Sequence, residues 1–400
     1  MSRRVLMCGD AIVSTGFSRS MHNYCYGLQR AGFEPHVLAL NYPGDPHRQP
    51  FHAYTCFAGG DFLGTGRIKN LAMQLRPEAI VIQNDPWNFE GYLEKLEGIS
   101  IPIIGVVAVD GKNCSGHLLN GLTRTVFWTQ FAEDEARRGG FEGKSAVIPL
   151  GVDREIYKQK DRVELRKKIL GKVFEQNNLP LDSFVVGTVG RNQYRKRFDL
   201  MIQYFAEWVH TYKIKDAVLW MHSAPTGDDA YNIRMLADYF GVHGRVMVPA
   251  PDPNFGVAED VLADVYNLMD VFMTTTVGEG WGLPILEAMS CGTPCIVPRW
   301  SALEEWATAA YQVDCTGLHV HPQPTPNTIG GVMDKHEAII ALDVLYNNPT
   351  RRVLMRDDGV TLASQPEYRW EAIGDALAAV VEDVLKPAPV IEPEMELEEV

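Results

Sequence analysis

Short runs of β-branched residues alternate with longer segments of helical periodicity along this chain, and the alternation starts twice. The first series reads RVLMCGD, PHVLALN, AIVIQND, PIIGVVAVD, RTVFWTQ and SAVIPLG, and the second reads FVVGTVG, AVLWMHS, RVMVPAP, VFMTTT and PCIVP. Strands separated by helices pair in parallel through right-handed crossovers. A chain of 400 residues also exceeds the usual size of one hydrophobic core. The sequence therefore predicts two doubly wound α/β domains.

The interruption between the two series lies near residues 170 to 182 and sets the predicted domain boundaries. We expect a Rossmann-like first domain over residues 1–175 and a Rossmann-like second domain over residues 183–367. A last helical pattern, at about 368–386, can pack back on the first domain. Residues 387–400 form an acidic tail that is predicted to be disordered.

Composition narrows the classes of function. A net charge of −14 disfavours a general binder of nucleic acid or of anionic membranes. The seven cysteines include no CxxC pair and are predicted to be reduced thiols. Because the sequence has neither an apolar run of about 18 residues nor a readable signal peptide, we expect a cytoplasmic protein without an integral membrane segment.

Turns that follow buried strands are the places to look for a site, because ligands of open α/β sheets bind beyond the carboxyl ends of the strands. Gly16 precedes a helix whose free amides could bind an anion, although ordinary turn chemistry explains this glycine at least as well. A basic run, Arg191, Arg195, Lys196 and Arg197, follows the strand FVVGTVG, where an arginine and a lysine such as Arg191 and Lys196 could neutralise a diphosphate. A solvated basic face is the alternative explanation for that run.

The segment TTTVGEGWGLPILEAMSCGTPCIVP carries two carboxylates on a third turn. Glu279 lies on a glycine-rich loop, where we expect it to be exposed, and Glu287 lies inside the helix that follows. A favourable helix dipole explains Glu287 but neither Glu279 nor the bulky Trp281. One ligand suits all three turns: a nucleotide sugar, with basic groups on the diphosphate and one carboxylate each for the ribose and the sugar hydroxyls.

The stretch EGWGLPILEAMSCGTP also resembles the signature E-G-[FW]-G-L-P-x-L-E-A-M-x-x-G-x-P of the retaining GT-B glycosyltransferases of the group 1 type, which include sucrose and glycogen synthases and many mannosyl- and glucosyltransferases. VIPLGVD and VGRNQYRKRFDL are similar to two further motifs of that family. The resemblance covers the second domain well and the first only loosely. It implies the GT-B fold, in which two Rossmann-like domains face each other across a cleft.

Carried over to this chain, the resemblance implies a donor site. Arg191, Lys196 and Glu279 are the implied catalytic residues, with the first two on the diphosphate and Glu279 on the hydroxyls of the transferred sugar. Glu287 would contact the ribose. The implied donor-binding residues that surround these groups are Gly16, Gly280, Trp281, Gly282 and Leu283.

The same resemblance implies the reaction and its partners. A UDP- or GDP-sugar would be the donor, with its base near VMVPAPD (246–252), and a hexosyl group would pass to an acceptor hydroxyl with retention. The implied mechanism is front-face attack, in which the leaving phosphate oxygen takes the acceptor proton. The reaction would need neither a metal ion nor a cofactor.

The sequence departs from the family pattern at two positions. Arg197 follows Lys196 where a glycine is usual, and Val109 precedes Asp110 where the first domain commonly carries a His-Asp pair. Asp110 therefore remains a candidate on the acceptor side. Asp85 and Trp87 are further acceptor candidates, although ordinary turn chemistry explains them about as well.

Other classes of protein are alternatives to a glycosyltransferase. An NAD-dependent oxidoreductase would need a GxGxxG turn, which the sequence lacks. A catalytically silent nucleotide-sugar binding protein remains open, as does the acceptor, which could be a small glycan, a lipid-linked sugar, a protein or a modified DNA base. His222, His319 and His321 lack the ligand spacing of a metal site, so no metal is expected.

Overall fold

The computed structural model of the chain describes residues 3–12, 15–56, 60–170, 175, 180–226, 231–249, 256–321 and 327–387. The acidic tail predicted at 387–400 lies outside the described residues from 388 onward. Most of the predicted junction between the domains, residues 171–174 and 176–179, lies outside them as well.

The first domain is built on a parallel sheet of seven strands in the order β3-β2-β1-β4-β5-β6-β7. The strands are β1 (Arg3–Asp10), β2 (Phe33–Leu40), β3 (His52–Thr55), β4 (Ala79–Asn84), β5 (Ile103–Val107), β6 (Arg124–Phe127) and β7 (Ser145–Val147). The helices are α1 (Gly16–Arg30), α2 (Thr65–Leu75), α3 (Phe89–Lys95), α4 (Gln130–Arg138) and α5 (Arg162–Ile169). Short 3-10 turns lie at Pro86–Asn88 and Gly116–Leu119.

The second domain is built on a parallel sheet of six strands in the order β10-β9-β8-β11-β12-β13, with a separate antiparallel pair β14-β15. Its strands are β8 (Phe184–Val189), β9 (Ala217–His222), β10 (Val246–Met247), β11 (Val271–Met273), β12 (Cys295–Pro298), β13 (Tyr311–Val313), β14 (Cys315–Val320) and β15 (Ile329–Met333). The predicted architecture of two doubly wound α/β sheets is thus confirmed.

Helices cover both faces of the second sheet and continue to the end of the described chain. They are α6 (Phe198–Thr211), α7 (Ile233–Tyr239), α8 (Glu259–Leu268), α9 (Leu283–Ser290), α10 (Ala302–Trp306), α11 (Lys335–Asn347), α12 (Pro349–Ala363) and α13 (Trp370–Leu385). Further 3-10 turns lie at Tyr194–Lys196, His243–Arg245 and Pro366–Tyr368. Within the described residues, none of the helices combines the length and the apolarity that a membrane crossing requires. The cytoplasmic location stays a prediction.

Burial on both faces explains why the strands read as continuous apolar runs. Every residue of β4 and of β9 is buried, as expected for strands that are sandwiched between two helical layers. Helices α1 and α4, which follow β1 and β6, begin at side-chain caps: the Thr15 hydroxyl accepts a hydrogen bond from the Ser18 amide at 3.1 Å, and Thr129 does the same for Ala132 at 3.1 Å. These two strands therefore end in short turns that present their residues at one edge of the sheet.

The last helix, α13, packs against α1 of the first domain through a pair of glycines. A Cβ atom added to Gly27 would lie 2.1 Å from the carbonyl carbon of Gly374, so the two helix backbones are in direct contact. An ion pair between Arg3 and Glu382, at 2.5 Å, lies farther along the same helix. The chain thus crosses to the second domain and returns to the first.

The two domains also touch through backbone contacts. The amide of Lys112 donates to the carbonyl of Ile329 at 2.9 Å, and the amide of Ile329 returns the bond to Lys112 at 2.9 Å. On another part of the interface, the Glu305 carboxylate accepts hydrogen bonds from the amides of Gln130 at 3.0 Å and Phe131 at 2.7 Å. These contacts hold the carboxyl edges of the two sheets toward each other.

Candidate functional site

A carboxylate and two cations meet where strands β8 and β11 end. Lys196 Nζ lies 2.5 Å from Glu279 Oε1, and Arg195 Nη1 lies 2.8 Å from Glu279 Oε2. Glu279 is only 6% exposed. The sequence indicated an exposed carboxylate on this loop, and that expectation is wrong, because the two cations and the packed glycine-rich loop enclose the side chain.

Electrostatics in this cluster favour the charged form of Glu279. Burial alone would raise the pKa of Glu279, but Arg195 and Lys196 together lower it to about 2. Burial lowers the pKa of Lys196, and the Glu279 carboxylate opposes that effect. Glu279 is therefore an anion at neutral pH that already has two cationic partners.

Asp110 joins this cluster from the first domain. Arg195 Nε lies 3.1 Å from Asp110 Oδ2, and the Asp110 carboxylate accepts a hydrogen bond from the amide of Gly280. The approach is close: a Cβ atom added to Gly278 would lie 2.0 Å from the Asp110 carbonyl oxygen. The structure thus brings the acceptor candidate Asp110 directly against the predicted donor loop.

The sequence did not single out Arg195 as a functional residue. It lies in the basic run that includes Lys196, but no family motif marked it. The signal available in the sequence was its place next to Lys196 at the carboxyl end of a buried strand.

Carboxylates stand near the ends of three neighbouring strands on the first-domain side of the cleft. Asp10 ends β1, Asp85 directly follows β4, and Asp110 follows β5, and these strands are adjacent in the sheet. Burial, assisted by Asp110, raises the pKa of the half-buried Asp85 to about 7. Trp87 and Asp110 both line a small recess beside this row. The acceptor candidates Asp85, Trp87 and Asp110 therefore lie in one region.

The raised pKa of Asp85 predicts a pH dependence of stability. The unfolded chain releases this proton near pH 4 and the folded chain near pH 7, so Asp85 lowers the free energy of unfolding progressively as the pH rises between those values. Between pH 5 and pH 8, we expect the free energy of unfolding of Asp85→Asn to rise relative to that of the wild type by on the order of 2 kcal/mol. This is less than the full pKa shift implies, because the carboxylate is only half-buried. Urea unfolding at several pH values measures this difference. The exposed Asp134→Asn should show no such gain, and an Asp85→Asn curve parallel to the wild type would refute the assignment.

Glu287 is held by partners that the sequence did not reveal. It is 2% exposed, accepts a hydrogen bond from the Tyr266 hydroxyl at 2.6 Å, and forms an ion pair with Arg19 of helix α1. Arg19 also reaches Glu259, with 2.7 Å between Nε and Oε1. A ribose that binds Glu287 would therefore share this carboxylate with Arg19 or displace it.

The remaining predicted donor residues differ in their placement. Gly16 lies against the second domain, since a Cβ atom there would be 3.2 Å from Leu283 Cδ1. Arg191 is exposed and lies outside the Glu279 cluster; its charge opposes the effect of burial, which raises the pKa of Asp10.

The loop glycines and Trp281 shape the backbone rather than offer side chains. Trp281 is 3% exposed and stacks on Trp306 with 4.9 Å between ring centroids. Gly282 has a φ of 98°, which favours glycine, and it directly precedes α9. Any ligand contact of Gly280 and Trp281 would therefore be made by the main chain.

A larger cavity of about 400 Å³ lies at the β10 edge of the second sheet. It is lined by Trp220, Arg234, Ala237, His243 and residues 246–249. Trp220 is 4% exposed, and within the described part of the chain its indole N–H has no hydrogen-bond partner. The cavity includes the start of the segment predicted to lie near the nucleobase; residues 250–252 of that segment lie outside the described residues.

Comparison with known proteins finds a family match in the second domain. Residues 183–329 match the family model described as Glycosyl transferases group 1. This match covers most of the second domain. The matched region contains Lys196, Glu279 and Glu287, and the resemblance inferred from the sequence is confirmed at the level of the group 1 family.

Relatives of this group 1 domain include D-inositol 3-phosphate glycosyltransferases. The enzyme of Acidothermus cellulolyticus is 27% identical over 215 residues, which cover 52% of this chain and 44% of that protein. The enzyme of Mycobacterium tuberculosis strain F11 is 27% identical over 255 residues, which cover 62% of this chain and 46% of that protein. The chain thus spans about half the length of the curated relatives it matches.

Solved structures resemble almost the whole chain. Sucrose-phosphate synthase from Thermosynechococcus elongatus superposes with a TM-score of 0.74 at 17% identity, covering 96% of this chain and 99% of that one. Alr3699/HepE of Anabaena, solved in complex with UDP, superposes with a TM-score of 0.68 at 16% identity, covering 95% and 100%. At these identities the likeness concerns the fold, and the predicted GT-B fold is confirmed.

Proposed function

We propose that this protein is a retaining glycosyltransferase that moves a hexosyl group from a nucleotide-diphosphate sugar to an acceptor hydroxyl, without a metal ion or a cofactor. The observation that carries the proposal is the buried cluster of Glu279, Arg195 and Lys196, closed from the first domain by Asp110. The group 1 domain and the GT-B fold support it.

The cluster suits the charges that such a transfer develops. Lys196 would stabilise the negative charge on the departing diphosphate, and the exposed Arg191 could reach it from the same turn. The ionised Glu279 would hold the sugar hydroxyls and favour an oxocarbenium-like sugar. With a pKa of about 2, Glu279 is a poor general base, which supports front-face attack with the leaving phosphate oxygen as proton acceptor.

The donor is proposed to be a UDP- or GDP-sugar. A structural neighbour was solved in complex with UDP, and another is described as bound with UDP-2-fluoro glucose. The cavity beside Trp220 offers space near the segment assigned to the base. Glu287 is the proposed ribose ligand, in competition with Arg19.

The acceptor side is marked by carboxyl groups. Asp10, Asp85 and Asp110 lie at adjacent strand ends. Such a row suits a neutral, polyhydroxylated acceptor and disfavours a polyanion such as nucleic acid. A protein acceptor remains the macromolecular alternative, and a silent nucleotide-sugar binding protein is the alternative that lacks catalysis.

A panel of nucleotide sugars tests the proposal. UDP-glucose, GDP-mannose and ADP-glucose are added to the full chain, and thermal unfolding is followed together with release of the free nucleoside diphosphate. We expect one UDP- or GDP-sugar to stabilise the protein by about 2 to 3 kcal/mol at 100 times its Kd, and to be slowly hydrolysed. Stabilisation without release would favour the silent binder, and no response to any of the three would overturn the proposal.

A further inference from the structure

We propose that Arg195 is a positioning residue of the transfer site, which fixes the Asp110 carboxylate of the first domain and the Glu279 carboxylate of the second in one arrangement. The inference rests on the function proposed above and deepens it. It adds to that site a residue that joins the acceptor side of the cleft to the donor side.

The geometry of the guanidinium supports this role. Its Nε lies 3.1 Å from Asp110 Oδ2, and its Nη1 lies 2.8 Å from Glu279 Oε2 and donates to the Gly278 carbonyl at 2.6 Å. A planar guanidinium presents these donors at fixed angles, whereas an ammonium group is a flexible point charge. Arg195 therefore sets both the distance and the direction between the two carboxylates.

Arg195 also fixes the loop that bears Glu279. It holds the Gly278 carbonyl, while Asp110 accepts from the Gly280 amide on the other side of Glu279. The residues before and after Glu279 are thus both tied to the Arg195–Asp110 pair. Loss of the guanidinium should release the loop at the point where the sugar is proposed to bind.

The charges that face Arg195 come from several elements. They belong to Asp85 and Asp110 in the first domain and to Lys196, Glu279 and His321 in the second. Burial raises the pKa of Asp110, and Arg195 is the main group that opposes the rise. Without Arg195, Asp110 should protonate at a higher pH and lose its hold on the Gly280 amide.

A simpler explanation is that Arg195 only stabilises the contact between the two domains. Glu305 provides the matched control, because it also joins the domains, through the amides of Gln130 and Phe131, but belongs to α10 and not to this cluster. If stabilising this contact were the whole role of Arg195, Glu305→Gln would change kcat and the pH profile in the same way as Arg195→Gln.

The test compares Arg195→Gln, Arg195→Lys and Glu305→Gln with the wild type, in the full chain. Hydrolysis of UDP-glucose and of GDP-mannose is measured from pH 5 to pH 9, and kcat is taken with the donor that the wild type turns over. We expect Arg195→Gln to lower kcat about 100-fold and to move the acid limb of its pH profile to higher pH. Arg195→Lys should restore the position of the acid limb and only part of kcat, while Glu305→Gln should change neither.

Two outcomes would overturn the inference. One is an Arg195→Gln variant whose acid limb coincides with that of the wild type and whose kcat matches that of Glu305→Gln. The other is additivity of Arg195→Gln and Asp110→Asn in a double-mutant cycle of thermal unfolding, which needs no substrate. A wild-type chain that hydrolyses neither donor would count against the proposed function, and the cycle would still decide whether Arg195 and Asp110 are coupled.

Discussion

Replacing Glu279 by glutamine is expected to lower kcat for donor turnover by about 10²- to 10³-fold. Glutamine keeps the size of the side chain but removes the negative charge that Arg195 and Lys196 surround. The sugar would lose its proposed anionic neighbour, and the two cations would lose the partner that orients them. Steady-state release of nucleoside diphosphate measures the loss.

Glutamine is a better probe than alanine because of the burial of this cluster. Removing one member of a buried ion pair typically costs about 3–5 kcal/mol, since it leaves the partner charge unsatisfied. Two side chains that lay at the cleft rather than in a core would allow Glu279→Ala and Lys196→Ala to abolish transfer with the fold intact. Because Glu279 is 6% exposed and bound to Lys196, both alanine variants should lose stability as well as activity.

A matched control for Glu279→Gln is Glu207→Gln. Glu207 also pairs with a lysine, Lys335, at 2.9 Å between Nζ and Oε2, but that pair lies on the surface. An exposed ion pair contributes at most about 1 kcal/mol, so Glu207→Gln should unfold and turn over donor like the wild type. Wild-type kcat in Glu279→Gln would remove Glu279 from the site.

The pairing of Lys196 with Glu279 could be anticipated from the sequence, and the reason is topological. Both residues lie on the turns that follow buried strands, and those strands, β8 and β11, are neighbours in the second sheet. Residues that follow neighbouring parallel strands emerge at the same edge. The alternation of apolar runs and helices therefore predicted the sheets, and the sheets placed this part of the site.

The contacts between the domains could not be anticipated in the same way. Arg19 on Glu287 and Arg195 on Asp110 join residues whose distance depends on how two separately folded sheets face each other. Sequence periodicity describes each sheet and carries no information about that relative placement. Asp110 was named as an acceptor candidate, but its hold on the donor loop became visible only with both domains in place.

The return of the last helix to the first domain depends on two glycines, which gives the second large expected effect. Gly27→Ala would place a Cβ atom 2.1 Å from backbone atoms of Gly374, and backbone cannot yield as a flexible side chain can. At position 374 a Cβ atom would in turn meet the Asn23 carbonyl at 2.3 Å, so neither helix has room for a larger residue. The helices would have to separate along their contact.

We expect Gly27→Ala to lower the free energy of unfolding by about 3 kcal/mol, the upper part of the range for overpacked sites, and urea unfolding measures it. The higher helix propensity of alanine, worth up to about 1 kcal/mol, should offset only part of this cost. Gly91→Ala is the matched control, because Gly91 is also helical but its added Cβ atom would meet Thr65 at an ordinary 3.8 Å. Gly91→Ala should be neutral or stabilising. Equal stability of the two variants would show that the packing of α13 on α1 does not depend on this contact. The position of α13 on the first domain would then need another explanation.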